Sequence, residues 1–409
     1  MRMKFNKSSQ LLLVSAASIL VAGLITACAT LTVDFVFVAS SKAAGPNNYG
    51  EINIFEVNSE SGHMRQIPAS PVPSGGRFPI AEAVSSDNQN LFVVNQDDNN
   101  IVQFVIGNDG KLYPYNTVNT PGVFPLAVAA NASNLFVVDT YQPLPTCSTA
   151  APCSGSIAVF PLTAATSKLP VSLGSPAPNP NTSGNYWALT LAGKPADVIV
   201  PTGVNVLASG TFVYISAYDS SVAPNAGYVF GFSVGSGGVL TPLAGSPFAA
   251  GILPSAIASD ASSKYVYVTD STSSNVRGFS VASGQLTPLA GSPFPTGNAP
   301  SAIVVDPSFS YTYVTNSTDS SISAYSMSNG VLTRIGSYPT GLQPVAIGID
   351  PSTNHFLYTA NFLGNDVSGF QLSQTAGTLL VSQFSPFPSN NQPTAIAAIP
   401  HNGTGAGVH

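Results

Sequence analysis

One short motif recurs seven times along the chain and restricts the fold more than any other feature. It reads Pro, any residue, usually Ala, then aliphatics. Copies begin at Pro79, Pro125, Pro195, Pro254, Pro300, Pro344 and Pro393. After most copies comes a second run that ends in a small polar residue, as in Leu91–Asn95, Tyr265–Asp270 and Tyr311–Asn316. A third run alternates apolar residues, as in Ile101–Phe104, and a fourth opens on a Gly-x-Leu turn, as at Gly284 and Gly330. The runs are rich in β-branched and aromatic residues, with Gly and Asn at the turns, so they read as strands. Four short strands at intervals of mostly 44 to 49 residues match the period of a propeller blade. The expectation is an all-β, seven-bladed β-propeller with four antiparallel strands per blade.

The two ends predict how the ring closes. Asp34–Ser40 reads as a second strand, 49–57 as a third and 62–68 as a fourth, with no first strand before them. Pro393–Ile399 reads as a first strand with none after it. One blade is therefore expected to combine N-terminal strands 2–4 with C-terminal strand 1. Such closure hides edges that would otherwise pair with other chains. The propeller is assigned to 34–399 and a loose tail to 400–409.

Residues 1–27 read as a targeting signal outside the fold. Arg2, Lys4 and Lys7 precede an apolar stretch from Leu11 to Ile25, followed by Thr26-Ala27-Cys28. Small residues directly before a Cys resemble the bacterial lipobox. That resemblance implies lipidation of Cys28, a short linker over 28–33, and an exported, membrane-anchored protein facing the periplasm or cell surface. The remaining Cys147 and Cys153 form an even pair, for which an oxidising compartment permits a disulfide. Three of the 12 basic residues lie in 1–27, which leaves nine against 18 acidic ones. No basic cluster survives, so nucleic acid is not an expected partner. A monomer without metal or cofactor is expected.

The second strands Tyr313-Val314-Thr315-Asn316 and Tyr267-Val268-Thr269-Asp270, with the repeated LTPLAGSPF at 240–248 and 286–294, are similar to the YVTN-type and lactonase-like seven-bladed propellers. That family includes 6-phosphogluconolactonase-like and muconate-cyclase-like enzymes beside exported repeat proteins. The resemblance implies the fold over 34–399 and allows a lactone hydrolase. Fold alone does not assign an activity.

Strand alternation puts second-to-third and fourth-to-first connections on one face. The long segments 141–155, 174–193 and 217–227 are all expected there. They carry Tyr141, Tyr186, Trp187, Tyr218 and Asp219, candidates for ligand binding on a rigid scaffold. Arg77, Lys194, Gln343 and Gln392 stand within two residues of a motif proline, at the expected channel mouth. Glu82 replaces the Val or Ile of the other copies, and Asp197 replaces Ala. A buried carboxylate needs a partner, and Arg77 and Lys194 are the expected ones. If the chain is an enzyme, Glu82, Arg77, Lys194 and Asp197 are the catalytic candidates. The Asn or Asp that closes most second strands reads as a turn-bonding residue. Residues 96–100 read as a solvated turn.

No Ser-His-Asp arrangement, phosphate loop or zinc motif is present. Three function classes follow. The leading one is a binding module at the cell envelope that takes a small carbohydrate-like ligand or an envelope protein. The others are a hydrolase of sugar lactones and a structural envelope protein.

Overall fold

The computed structural model describes residues 32–44, 47–163, 171–308, 311–350 and 355–401. Cys28 and the targeting segment lie outside the described residues. Seven antiparallel sheets form a closed ring. We number the blades by their innermost strands: I (Pro79–Val84), II (Val123–Ala130), III (Ile199–Val206), IV (Pro254–Ser259), V (Pro300–Val305), VI (Pro344–Ile349) and VII (Pro393–Pro400). Blade VII closes as the two ends predict. Its inner strand pairs with Thr32–Ala44, which pairs with Tyr49–Asn58, which pairs with Met64–Gln66. The second strand is longer than the sequence pattern indicated, reaching Thr32 and Ala44.

The motif has a local physical cause. In all seven blades the register slips at the motif's second residue, so that residue has no partner across the strand pair. Proline has no N–H to donate, so it is tolerated at the strand entrance beside this bulge. The small third residue follows the bulge. In blades IV and V the Thr of the second strand accepts its N–H, from Ala256 at 2.9 Å and Ala302 at 3.0 Å.

The core is not central. Seven apolar clusters fill the seven seams between neighbouring blades. Phe37 and Ile54 of blade VII, for example, pack with Leu91 and Phe104 of blade I. Each fully buried side chain of this size contributes about 1.5–3 kcal/mol. The second-strand tyrosines add polar ties across the same seams. Tyr214, Tyr267 and Tyr313 donate to the carbonyls of Gly284, Gly330 and Gly377 in the next blade, at 2.8, 2.7 and 3.0 Å.

The register corrects one expectation. The inner strand of blade III starts at Ile199, and its motif is Pro201-Thr202-Gly203-Val204, with Gly203 opposite Ser216. The copy at Pro195 is therefore not a strand, and Asp197 does not take a motif alanine's place. The interval was the available signal. Pro201 stands 11 residues before Phe212, as Pro254 does before Tyr265, whereas Pro195 stands 17 before it.

Candidate functional site

Where the seven inner strands face one another they enclose a cavity of about 240 Å³. Its wall is made by the second, third and fourth residues of every motif. Bulging the second residue out of the ladder turns it toward this space. In blades III, IV, V and VII that residue is Thr202, Ser255, Ser301 or Thr394; in I, II and VI it is Ile80, Leu126 or Val345. These hydroxyls were not singled out from the sequence, although the motif's variable position carries them.

Glu82 is the one ionisable residue in the wall. Both carboxyl oxygens are buried, and none of the ion pairs of the described residues includes Glu82. Burial pushes the carboxyl well above its ordinary range, and the backbone N–H of Ala397 across the seam only partly opposes this. The expected partner is engaged elsewhere. Arg77 binds Asp98 through its backbone N–H and its Nε, both at 2.7 Å, and through Nη2 at 2.6 Å. Lys194 does meet Asp197, at 3.3 Å, but in the crossover before blade III and away from the channel wall.

The mouth lies just before the motif prolines. Phe78, Phe124, Ala299, Gln343 and Gln392 precede five of them with φ between +51° and +59°. A non-glycine residue held there costs about 1–3 kcal/mol, and such strain clusters at functional sites. Neighbouring loops hold three of these residues in place. Asn99 Oδ1 accepts the Phe124 N–H at 2.7 Å, Asn365 Oδ1 the Gln392 N–H at 2.9 Å, and Ser320 Oγ the Gln343 N–H at 3.3 Å. Phe124 packs against Tyr141, centroids 6.1 Å apart and nearly perpendicular. Burial, and then the nearby Tyr141, raise the Tyr218 phenol above its usual range. Phe124, Tyr141 and Tyr218 thus form an aromatic wall over blades II and III. Gln343 and Gln392 stand across the ring on blades VI and VII.

Two other candidates are placed differently. Trp187 is buried at 4% exposure and pairs with Ile157, the position Phe294 holds against Val276 in blade IV. It is a core residue of the blade II–III seam, and a 13-residue segment from Gly174 to Tyr186 interrupts the outer strand before it. That segment therefore runs along the outer edge. Only 189–198 crosses to the next blade. Tyr186 is half-buried on the outer-edge segment, its carbonyl accepting from Asn179. Asp219 is buried and caps the N–H of Ser221 at 2.8 Å.

Cys147 and Cys153 form a disulfide in the 142–155 loop of blade II. The end of this loop is fastened to the crossover. Gly155 donates to the Ile199 carbonyl at 2.8 Å, and Ser154 Oγ donates to the Asp197 carbonyl at 3.0 Å. The strand-closing residues bond their own turns: Asn316 to Ser321 and Ser323, Asn361 to Asp366 and Ser368. Among the described residues no three His, Cys, Asp or Glu side chains gather where a metal ion would fit.

Residues 285–394 match the model of a family described as Lactonase, 7-bladed beta-propeller. This protein is a seven-bladed β-propeller, and over residues 285–394 it resembles that family. The propeller fold is shared by a putative 6-phosphogluconolactonase from Bacteroides fragilis at 17% identity and a TM-score of 0.70, covering 91% of this chain and 99% of that one. A periplasmic gluconolactonase from Pseudomonas aeruginosa matches at 16% identity and a TM-score of 0.70, covering 90% and 99%. At such identities the likeness is one of fold. No curated protein matches the chain.

Proposed function

We propose that this chain hydrolyses sugar-type lactones at the channel, with Glu82 as the proton-transferring group. One observation carries the reading: a single buried carboxyl with no ion-pair partner stands in the wall of the cavity on which all seven blades converge. Opening a lactone adds one water across the ring ester. The water oxygen bonds to the carbonyl carbon, the bond from that carbon to the ring oxygen breaks, and the ring oxygen leaves with a proton. Glu82 takes the proton from the attacking water and returns it to the leaving oxygen. A carboxyl whose proton affinity is raised by burial takes up a proton more readily than an ordinary carboxylate, which favours its use as a proton carrier. The family match supports lactones as the substrate class.

The envelope-binding reading has lost Trp187 to the core and keeps the aromatic wall at the mouth. Export and lipidation at Cys28 belong to this proposal through the lipobox alone. The test is turnover of a panel of sugar lactones by the purified protein without residues 1–27. Glu82→Gln should lower kcat by about 10²-fold or more, while Asn316→Ala, changed at a turn, should keep it. Equal kcat in wild type and Glu82→Gln would remove Glu82 from the mechanism. No turnover of any lactone would return the chain to the binding class.

A further inference from the structure

A second cavity lies in the seam between blades VII and I, apart from the channel and independent of the hydrolase reading. Its origin is a gap in the repeat. In every blade one outer residue pairs with a fully buried aliphatic near the start of the third strand. That outer residue is a ring in five blades: Trp187 in II, Phe248 in III, Phe294 in IV, Tyr338 in V and Phe387 in VI. Each ring packs into the seam toward the following blade. Blades VII and I carry Val72 and Val118 there instead. Val118 shares its seam cluster with Val171 and Leu173, two outer residues of blade II. Beside Val72 the VII–I seam opens into a cleft of about 510 Å³, against about 240 Å³ for the channel cavity, and no residue lines both.

We infer that this cleft binds a small aromatic amine, one ring system carrying an ammonium group. The ring takes the place that blades II to VI fill from their own chain. The blade I side of the cleft is apolar, with Val102, Phe104 and Leu112 all buried. Aromatic surface against such side chains is a strong apolar contact, and the volume is ordinary for a small-ligand site. The positive charge follows from the other end. Glu51 is the only charged residue of the lining. It enters none of the ion pairs of the described residues. Its Oε2 accepts from the Asn390 side chain. A carboxylate can accept about four hydrogen bonds, so an ammonium still finds acceptors there. Tyr49 also lines the cleft, two residues before Glu51 on the same strand and therefore on the same side. Its ring face favours a cation further. A carboxylate or phosphate on the ligand would meet Glu51 as a like charge.

Calorimetric titration of the full-length protein with tryptamine, indole-3-propionate and propylamine separates the ring from the charge. Tryptamine should bind, and the other two should bind at least about tenfold more weakly. Val72→Phe supplies the ring that the other blades carry. It should weaken tryptamine by about tenfold or more without lowering the melting temperature. Glu51→Gln should also weaken tryptamine and narrow its lead over indole-3-propionate; this variant decides alone if Val72→Phe does not fold. Glu82→Gln, changed in the channel, should leave tryptamine binding as it is. Absence of tryptamine binding overturns the inference, as does equal binding of either comparator. Unchanged tryptamine affinity in folded Val72→Phe or in Glu51→Gln overturns it as well. Loss of binding in Glu82→Gln would put the amine in the channel and overturn it too.

Discussion

Asp139 of blade II and Asp270 of blade IV close equivalent second strands, opposite Pro125 and Pro254. Their surroundings differ. Asp270 accepts from the backbone N–H groups of Ile252, Leu253 and Ser273 and from the Ser273 hydroxyl, at 2.8 to 3.2 Å. Burial opposes ionisation there, but those donors outweigh it and hold the carboxyl below its usual range. Asp139 receives the Gly122 N–H at 3.2 Å, and its Oδ1 has no partner. Burial pushes it up to about 7 against the Thr120 hydroxyl and Gly122 N–H. The cause lies in the loops. Blade IV follows its Asp with a tight turn that supplies Ser273, whereas blade II follows it with the disulfide loop. The insertion replaces the turn that supplies Ser273, and Phe124, at the place of Leu253, donates its N–H to Asn99 instead.

Three measurements would break or sharpen this contrast. Asp139→Asn should have the largest effect. A carboxyl at about 7 in the folded state, against 3.8 ordinarily, is protonated in the fold where the unfolded chain has already ionised. Stability therefore falls as pH rises from about 4 to 7 and stays low above. The amide removes that decline, a gain of up to about 4 kcal/mol at pH 8. Urea unfolding at pH 5 and 8 reads it, and parallel profiles for variant and wild type would refute it. Asp270→Asn should act in the other direction, losing about 1–3 kcal/mol at pH 7 because buried donors lose a charged acceptor. The wild-type advantage over this variant should fade as pH drops below the ordinary carboxylate range. An Asp270→Asn protein as stable as wild type at pH 7 would erase the distinction between the two sites. Smallest is Tyr313→Phe, which removes one blade-to-blade hydrogen bond and should cost about 1 kcal/mol. Blades I and II already carry Phe92 and Phe136 at this place, so a larger loss would mean the tie does more than join neighbours.

The blade count and the shared blade are legible in the sequence because a propeller's period and strand grammar repeat in every unit. Glu82 stands out as well, since one acid among six aliphatics departs from a strict pattern. Legibility fails where two patterns compete. Pro195 and Pro201 both resemble the motif, and only pairing with the second strand separates them. Trp187 takes the role of the Phe in Ser-Pro-Phe, yet the outer-strand insertion before it hides that equivalence. The channel hydroxyls escaped notice because a bulge, rather than residue identity, turns them inward. Which carboxylate meets Arg77 depends on a turn geometry that composition does not encode.

The bulged hydroxyls also act as a hoop. Ser255 donates to the Pro300 carbonyl, Ser301 to that of Pro344 and Thr394 to that of Pro79, at 2.6 to 2.7 Å, each reaching into the following blade. Thr394 binds the Ala39 carbonyl as well. The seam that holds Glu82 is thus one of the fastened ones, while the steps from I to II and II to III, with Ile80 and Leu126, have no such hydroxyl. Opening the seam beside that acid would therefore cost the Thr394 bond to Pro79, a tie that the first two steps of the ring do without.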